Sequence, residues 1–231
     1  MHWIYLHGFA SGPATTKGTF LRTRLAACGI DLETPDLNLP RFETLTLTAQ
    51  VEAVRGRIAA APGPVALVGS SMGGYVAALV ADDEPRVAAL ALLAPAFRFL
   101  ERYLAHIGEA AHDAWRRRGW MEVAHYARGG RHRLHYGLVE DARRHPAEPG
   151  RRTLPALVVH GIRDEVVPWS DSVRYLERNP QAELLLLAAD HALTDRLETL
   201  WRALRAWGAA LDPRLGRREA APQSPGQRPA R

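Results

Sequence analysis

A chain of 231 residues, 47% hydrophobic and with one cysteine, suits a single domain with a sizeable core. Cys28 alone excludes an internal disulfide and fits a reducing cytoplasm, the compartment expected for the chain. No apolar stretch reaches membrane-spanning length, so no membrane partner is expected.

The net charge of +5 is local: Arg98 to Arg152 carries 12 Arg against 7 Asp or Glu, which accounts for the whole excess. Lys17 is the one lysine. The start, Met1-His2-Trp3-Ile4-Tyr5-Leu6, enters a strand-like run without the charged region and cleavage site of a signal peptide.

In chain order, His2 to Leu6 reads as a buried strand, followed by the turn-rich loop His7-Gly8-Phe9-Ala10-Ser11-Gly12-Pro13. Thr15 to Cys28 has helical apolar spacing and stops at Gly29. Ile30 to Thr34 is a short strand, and Pro35 to Pro40 a loop. Leu45 to Ala61 is helical and ends at Pro62-Gly63-Pro64. The run from Val65 to Gly69 is a third strand, and the helical stretch from Met72 follows at once. Arg86 to Leu93 is a fourth strand.

From Phe97 to Arg152 the pattern changes to helical stretches broken by Gly108, Gly119 and Gly129-Gly130, with no clear strand. Leu154 to His160 and Glu183 to Leu187 are further strands; Trp169 to Arg178 and Leu193 to Leu211 are helices. Residues 212–231, rich in Pro, Arg, Gln and Ala, are expected to be a disordered tail. Strands alternating with helices predict an α/β fold: a doubly wound, mostly parallel six-stranded sheet with helices on both faces. Residues 1–96 and 153–211 form its core, and 97–152 a helical cap inserted after the fourth strand.

Ligands bind at the carboxyl ends of such strands, so the residues just after each strand carry the information. Gly69-Ser70-Ser71-Met72-Gly73 is Gly-x-Ser-x-Gly between a strand and a helix. Ser71 sits where a sharp turn exposes its hydroxyl, and Gly69 and Gly73 supply the missing bulk. Met72 N–H, a free first-turn donor, is placed to stabilise an oxyanion beside Ser71.

A serine needs a base, and the base needs a carboxylate to orient it. Asp164 follows the fifth strand and His191 the sixth, in the order Ser…Asp…His, with Glu165 and Asp190 as alternative acids. Phe9 N–H is the second oxyanion donor, with Ala10 in reserve. His7 ties its loop to neighbouring backbone, and His160 is packed. His132-x-x-His135 lacks a carboxylate or cysteine to complete a metal site, so no metal and no cofactor is expected.

These stretches, namely Ile4-Tyr5-Leu6-His7-Gly8-Phe9 with Lys17 beyond, Leu67 to Tyr75, Asp164-Glu165-Val166 and Asp190-His191-Ala192, resemble the α/β-hydrolase fold. Within it they resemble the small bacterial YqiA/YcfP-like esterases. The resemblance covers residues 2–95 and 154–210. It implies a compact hydrolase acting on short acyl esters, with Ser71, Asp164 and His191 as its triad. The segment 97–152 is longer and more basic than the family's insertion, and Ile162-Arg163 replaces the Gln/Gly residues that often precede the acid.

The expected reaction is acyl transfer through an acyl-enzyme. Phe9, Trp115 and Trp120 are the candidate pocket residues, with Met121, Tyr126 and Tyr136 beside them; packing of the cap onto the core is their other role. The partner is a small-molecule ester. The basic segment lacks a nucleic-acid motif, and a monomer is expected. A thioesterase with the same triad and a non-catalytic binding protein on the same scaffold are the competing readings.

Overall fold

The computed structural model describes residues 1–217. Eight helices of α type and eight strands are found among them. The chain runs β1 (His2–Leu6), α1 (Thr16–Ala27), β2 (Leu32–Glu33), α2 (Leu47–Ala60), β3 (Val65–Ser70), α3 (Met72–Asp83) and β4 (Val87–Leu93). Then come α4 (Phe99–Ile107), α5 (Glu109–Arg118), β5 (Trp120–Ala124), β6 (Arg131–His135) and α6 (Gly137–Ala142). The chain continues through β7 (Ala156–Gly161), α7 (Ser170–Arg178), β8 (Ala182–Leu187) and α8 (Leu197–Gly208).

Six strands form one sheet in the order β2-β1-β3-β4-β7-β8, and every pair in it is parallel. The doubly wound α/β sheet expected from the alternation is therefore the observed one. Period-two side-chain alternation divides the core into two layers. Trp3, Tyr5, Ala66, Val68, Ala89 and Ala91 pack with Leu21 and Leu25 of α1 and Leu200, Trp201 and Leu204 of α8. Ile4, Leu6, Val65, Leu67, Leu90 and Leu92 face the other way, onto α2, α3 and the inserted segment.

Element boundaries follow capping chemistry. The hydroxyl of Thr15 accepts from Gly18 N–H at the start of α1, and that of Thr46 from Ala49 N–H at the start of α2.

The insertion between β4 and β7 is not all helical, which corrects the sequence expectation. β5 and β6 pair antiparallel as a two-stranded ribbon, with Trp120 opposite His135 and Val123 opposite His132. Gly129 and Gly130, both at φ 70°, turn the chain between them. Each strand buries a single residue, Val123 and Leu134, so the alternation is masked by exposed Arg, His and Glu.

The insertion is fastened to the core by polar contacts. Asp141 accepts from Thr48 N–H and Oγ1 (2.9 and 2.7 Å). Tyr75 of α3 donates to Pro146 O (2.9 Å), and the Asp82 carboxylate collects the backbone N–H groups of Gly150, Arg151 and Arg152. The arginines of this segment are mostly paired: Arg98, Arg102, Arg116, Arg128, Arg131, Arg144 and Arg151 each meet a carboxylate. Among the described residues no helix is long and apolar enough to cross a membrane.

The expectation of disorder from residue 212 is also corrected. Asp212 is buried and accepts from Trp3 Nε1 at 3.0 Å, and Pro213–Gly216 form a 3₁₀ turn that buries Leu215. Residues 218–231 of that expected tail lie outside the described residues. Replacing Asp212 by Ala leaves the buried indole N–H of Trp3 unpaired. We expect Asp212→Ala to lower stability by about 2 kcal/mol, read as a fall in the urea midpoint with an unchanged slope.

Candidate active site

The site is built on the backbone around Ser71. Ser71 N–H is held by Leu93 O at 2.9 Å, and the residue adopts φ 54°, ψ −120°, a conformation that L side chains rarely take. The turn places α3 directly against the ends of β1 and β3. A Cβ on Gly73 would lie 2.6 Å from His7 O, and one on Gly69 would lie 2.6 Å from Gly74 Cα. Glycine at both positions is thus a matter of space, as the sequence spacing indicated.

His191 Nε2 stands 3.0 Å from Ser71 Oγ, and its Nδ1 stands 2.7 Å from Asp164 Oδ2. An ionised carboxylate only accepts, so Nδ1 carries the proton and the Nε2 lone pair faces the serine hydroxyl. The Asp164 side chain is fully buried, whereas that of His191 is 23% exposed and opens to the cleft. Burial works against the Asp164 charge. Hydrogen bonds from His160 and His191, the nearby His191 ring and the Val167 N–H more than offset it, and hold the carboxyl well below its ordinary range.

The alternative acids fall away on geometry. Asp190 Oδ1 caps the turn at Ala192 and Leu193 N–H (3.0 and 3.1 Å), and Glu165 is exposed beside the acid loop. Gly161 lets that loop approach its neighbour: a Cβ there would stand 2.6 Å from Asp190 O.

The amides of Phe9 and Met72 engage no other group among the described residues. The Gly8 Cβ position is 3.8 Å from Ser71 Oγ, so this loop lies beside the serine. Four bonds fix the loop. Leu37 N–H donates to His7 Nε2 (2.9 Å), which leaves His7 Nδ1–H to donate to Gly8 O (2.9 Å). Asn38 Nδ2 donates to Ser11 O (2.9 Å). Tyr126 N–H, from the connection between β5 and β6, donates to Ala10 O (2.8 Å). Ala10 itself has φ 51°.

An open cleft of about 1190 Å³ contains Ser71 and His191. Phe9, Phe99, Tyr103, Ile107 and Met121 make its apolar wall. Phe9 lies in this wall, its ring meeting Phe42, Phe99 and Tyr103 at 5.8, 5.9 and 5.5 Å.

Trp115 and Trp120 are not in the wall, which corrects the sequence expectation. Trp115 is buried under α5 and donates from Nε1 to Leu134 O (3.0 Å). Trp120 lies on the outer side of the ribbon against the His135 ring. Met121 and Tyr126 line the cleft, whereas Tyr136 packs on Trp115. Phe99, Tyr103 and Ile107 are not legible as wall residues in the sequence, because the pattern of α4 does not say which of its faces meets the site. His132 and His135 lie an odd number of residues apart on one strand, so they point to opposite faces. Among the described residues no three His, Cys, Asp or Glu side chains gather as a metal site.

Residues 2–206 match the family model of the uncharacterised protein family UPF0227. The chain belongs to that family. Among curated proteins it is similar to the mitochondrial palmitoyl-protein thioesterase ABHD10 of mouse, at 28% identity over 145 residues. That match covers 60% of this chain and 49% of the mouse protein, so the chain spans about half the length of such relatives.

Among solved structures it is similar to alpha/beta hydrolase domain-containing protein 10 from mouse: TM-score 0.73, 23% identity, 92% of this chain and 90% of that one. A structure from Agrobacterium vitis S4 gives TM-score 0.73 and 23% identity over 89% and 87% of the two chains. Est1E from Butyrivibrio proteoclasticus gives 0.70 and 20% over 93% and 88%. The fold is that of the α/β hydrolases.

Lys17 of α1 reaches the same corner and donates from Nζ to Ala192 O at 2.7 Å, next to His191. Burial lowers its pKa to about 8, against the opposing pull of Asp164 and Asp190. A lysine whose folded pKa lies below its ordinary 10.5 is charged at a cost in the folded state. Stability should therefore rise as pH climbs from about 8 towards 10.5, where only the unfolded chain still holds the proton. Urea midpoints across that range should show this rise in the native protein and lose it in Lys17→Met.

Proposed function

We propose that the protein is a serine hydrolase that cleaves carboxylic esters through an acyl-enzyme. The observation that carries this reading is the unbroken hydrogen-bonded line from Ser71 Oγ through His191 to Asp164, at 3.0 and 2.7 Å. His191 takes the Ser71 proton as the oxygen attacks the ester carbonyl. The N–H groups of Phe9 and Met72 receive the oxyanion. His191 then passes the proton to the leaving alcohol. Water repeats the sequence on the acyl-serine and releases the acid. Asp164 stays ionised throughout and holds His191 in the Nδ1–H tautomer.

A purified sample treated with a fluorophosphonate should carry the adduct on Ser71, located by mass spectrometry. Ser71→Ala should carry none while keeping the native circular-dichroism spectrum. A folded, unlabelled native protein would sink the reading and leave the scaffold as a binding protein.

Thioester hydrolysis by the same residues is the second reading. The name of the mouse relative, palmitoyl-protein thioesterase, favours it; the size of the cleft bears on acyl length. Pockets of about 300–1,000 Å³ enclose drug-sized ligands, so 1190 Å³ exceeds what a short acyl group needs. Each methylene buried on the apolar wall contributes about 0.8 kcal/mol, or roughly fourfold in kcat/KM. Matched p-nitrophenyl esters and acyl-CoA thioesters from two to sixteen carbons should show kcat/KM climbing with length until the wall is filled. A maximum at two to four carbons would restore the short-acyl expectation, and the ratio of the two series separates ester from thioester preference.

A further inference from the structure

The proposed reaction leaves one histidine of this corner unused. His160 lies in β7, and its ring is fully buried. Its Nε2 is 3.1 Å from Asp164 Oδ2 and 3.1 Å from Val167 O. Its Nδ1 is 2.7 Å from the hydroxyl of Ser172, which is also fully buried.

Both neighbours of Nε2 are pure acceptors, so that nitrogen carries a proton. The Ser172 hydroxyl has no other hydrogen-bond partner among the described residues. A ring protonated at both nitrogens would leave the hydroxyl proton buried and unpaired. A neutral ring that accepts at Nδ1 satisfies every group, and burial favours it further.

Asp164 is thereby held on both oxygens. Oδ1 accepts from Val166 and Val167 N–H (2.9 and 2.8 Å), and Oδ2 accepts from both histidines.

We propose that His160, locked as its Nε2–H tautomer by Ser172, is a positioning residue that aims Asp164 at His191 and shares its negative charge. Ser172, His160, Asp164, His191 and Ser71 then form one line of five residues. This rests on the serine-hydrolase reading above.

The charge sharing has a sign. With a second donor on Oδ2, the carboxylate stabilises a His191 cation less than it would alone. Without that donor the His191 cation gains, and the base is taken out of action at a higher pH. The other charged groups at this corner, Lys17 of α1 and Asp190 after β8, remain in place.

Fluorophosphonate labelling rates of Ser71, measured against pH, provide the test. His160→Phe keeps a buried ring but offers no donor. It should label about tenfold more slowly, the size of one lost charge-assisted hydrogen bond, with its acid limb displaced to higher pH. His160→Gln retains an N–H donor and should recover most of the rate and the native limb. A uniformly slower His160→Phe with an unmoved limb would reduce His160 to packing and overturn the proposal.

Should His160→Phe not fold, the native protein supplies the answer. With ¹⁵N-labelled histidine, His160 should show a protonated Nε2 and an unprotonated Nδ1. The opposite tautomer, or a ring protonated at both nitrogens, overturns the proposal. Failure of the hydrolase reading is distinct from either result, since it appears as an unlabelled Ser71 in the native protein.

Discussion

The close approach of the first turn of α3 to the end of β1 is the constraint on which the site depends. Ser71 holds φ 54° only because the chain must leave β3 and enter α3 with no room for side chains at Gly69 and Gly73. That strain is stored locally and offset by the buried packing of α3, whose residues from Met72 to Ala81 are all buried. The same approach brings the His7–Ala10 loop beside Ser71 and leaves the Phe9 and Met72 amides free.

The second half of the site arrives from the far side of the sheet. β7 and β8 pair in parallel, which sets the loops holding Asp164 and His191 side by side. Gly161 allows them to touch, and Lys17 ties the His191 loop to α1. The carboxylate at this junction is buried and so needs donors on both oxygens. It finds them in two backbone amides and two histidines.

The insertion does more than cover. Its ribbon connection reaches down to Ala10 O through Tyr126 N–H, so the loop that carries Phe9 is supported by a segment more than a hundred residues later in the chain. Helix α4 supplies the aromatic wall above Phe9. Access to the serine and the shape of the cleft therefore depend on one segment. Seven of its arginines meet nearby carboxylates.

What the sequence determined alone was whatever local rules control. Apolar runs of strand length, their alternation with helical periods, and small residues around Ser71 were enough to place the parallel sheet and the three residues at its strand ends. The three meet because parallel crossovers put every strand's carboxyl end on one side.

Tertiary structure decided the rest, for a physical reason. β5 and β6 are strands by virtue of pairing with each other, with one buried residue apiece against a polar background. Trp115 and Trp120 have the chemistry of pocket residues, but helix rotation and strand face turn one into the core and the other outward. Asp212 reads as part of a polar tail until Trp3, 209 residues away, presents a buried N–H that needs an acceptor. His160, too, is only a strand residue until folding places Ser172 on one nitrogen and Asp164 on the other. Periodicity records which side of an element is apolar; which partner a buried polar atom meets is settled only by long-range packing.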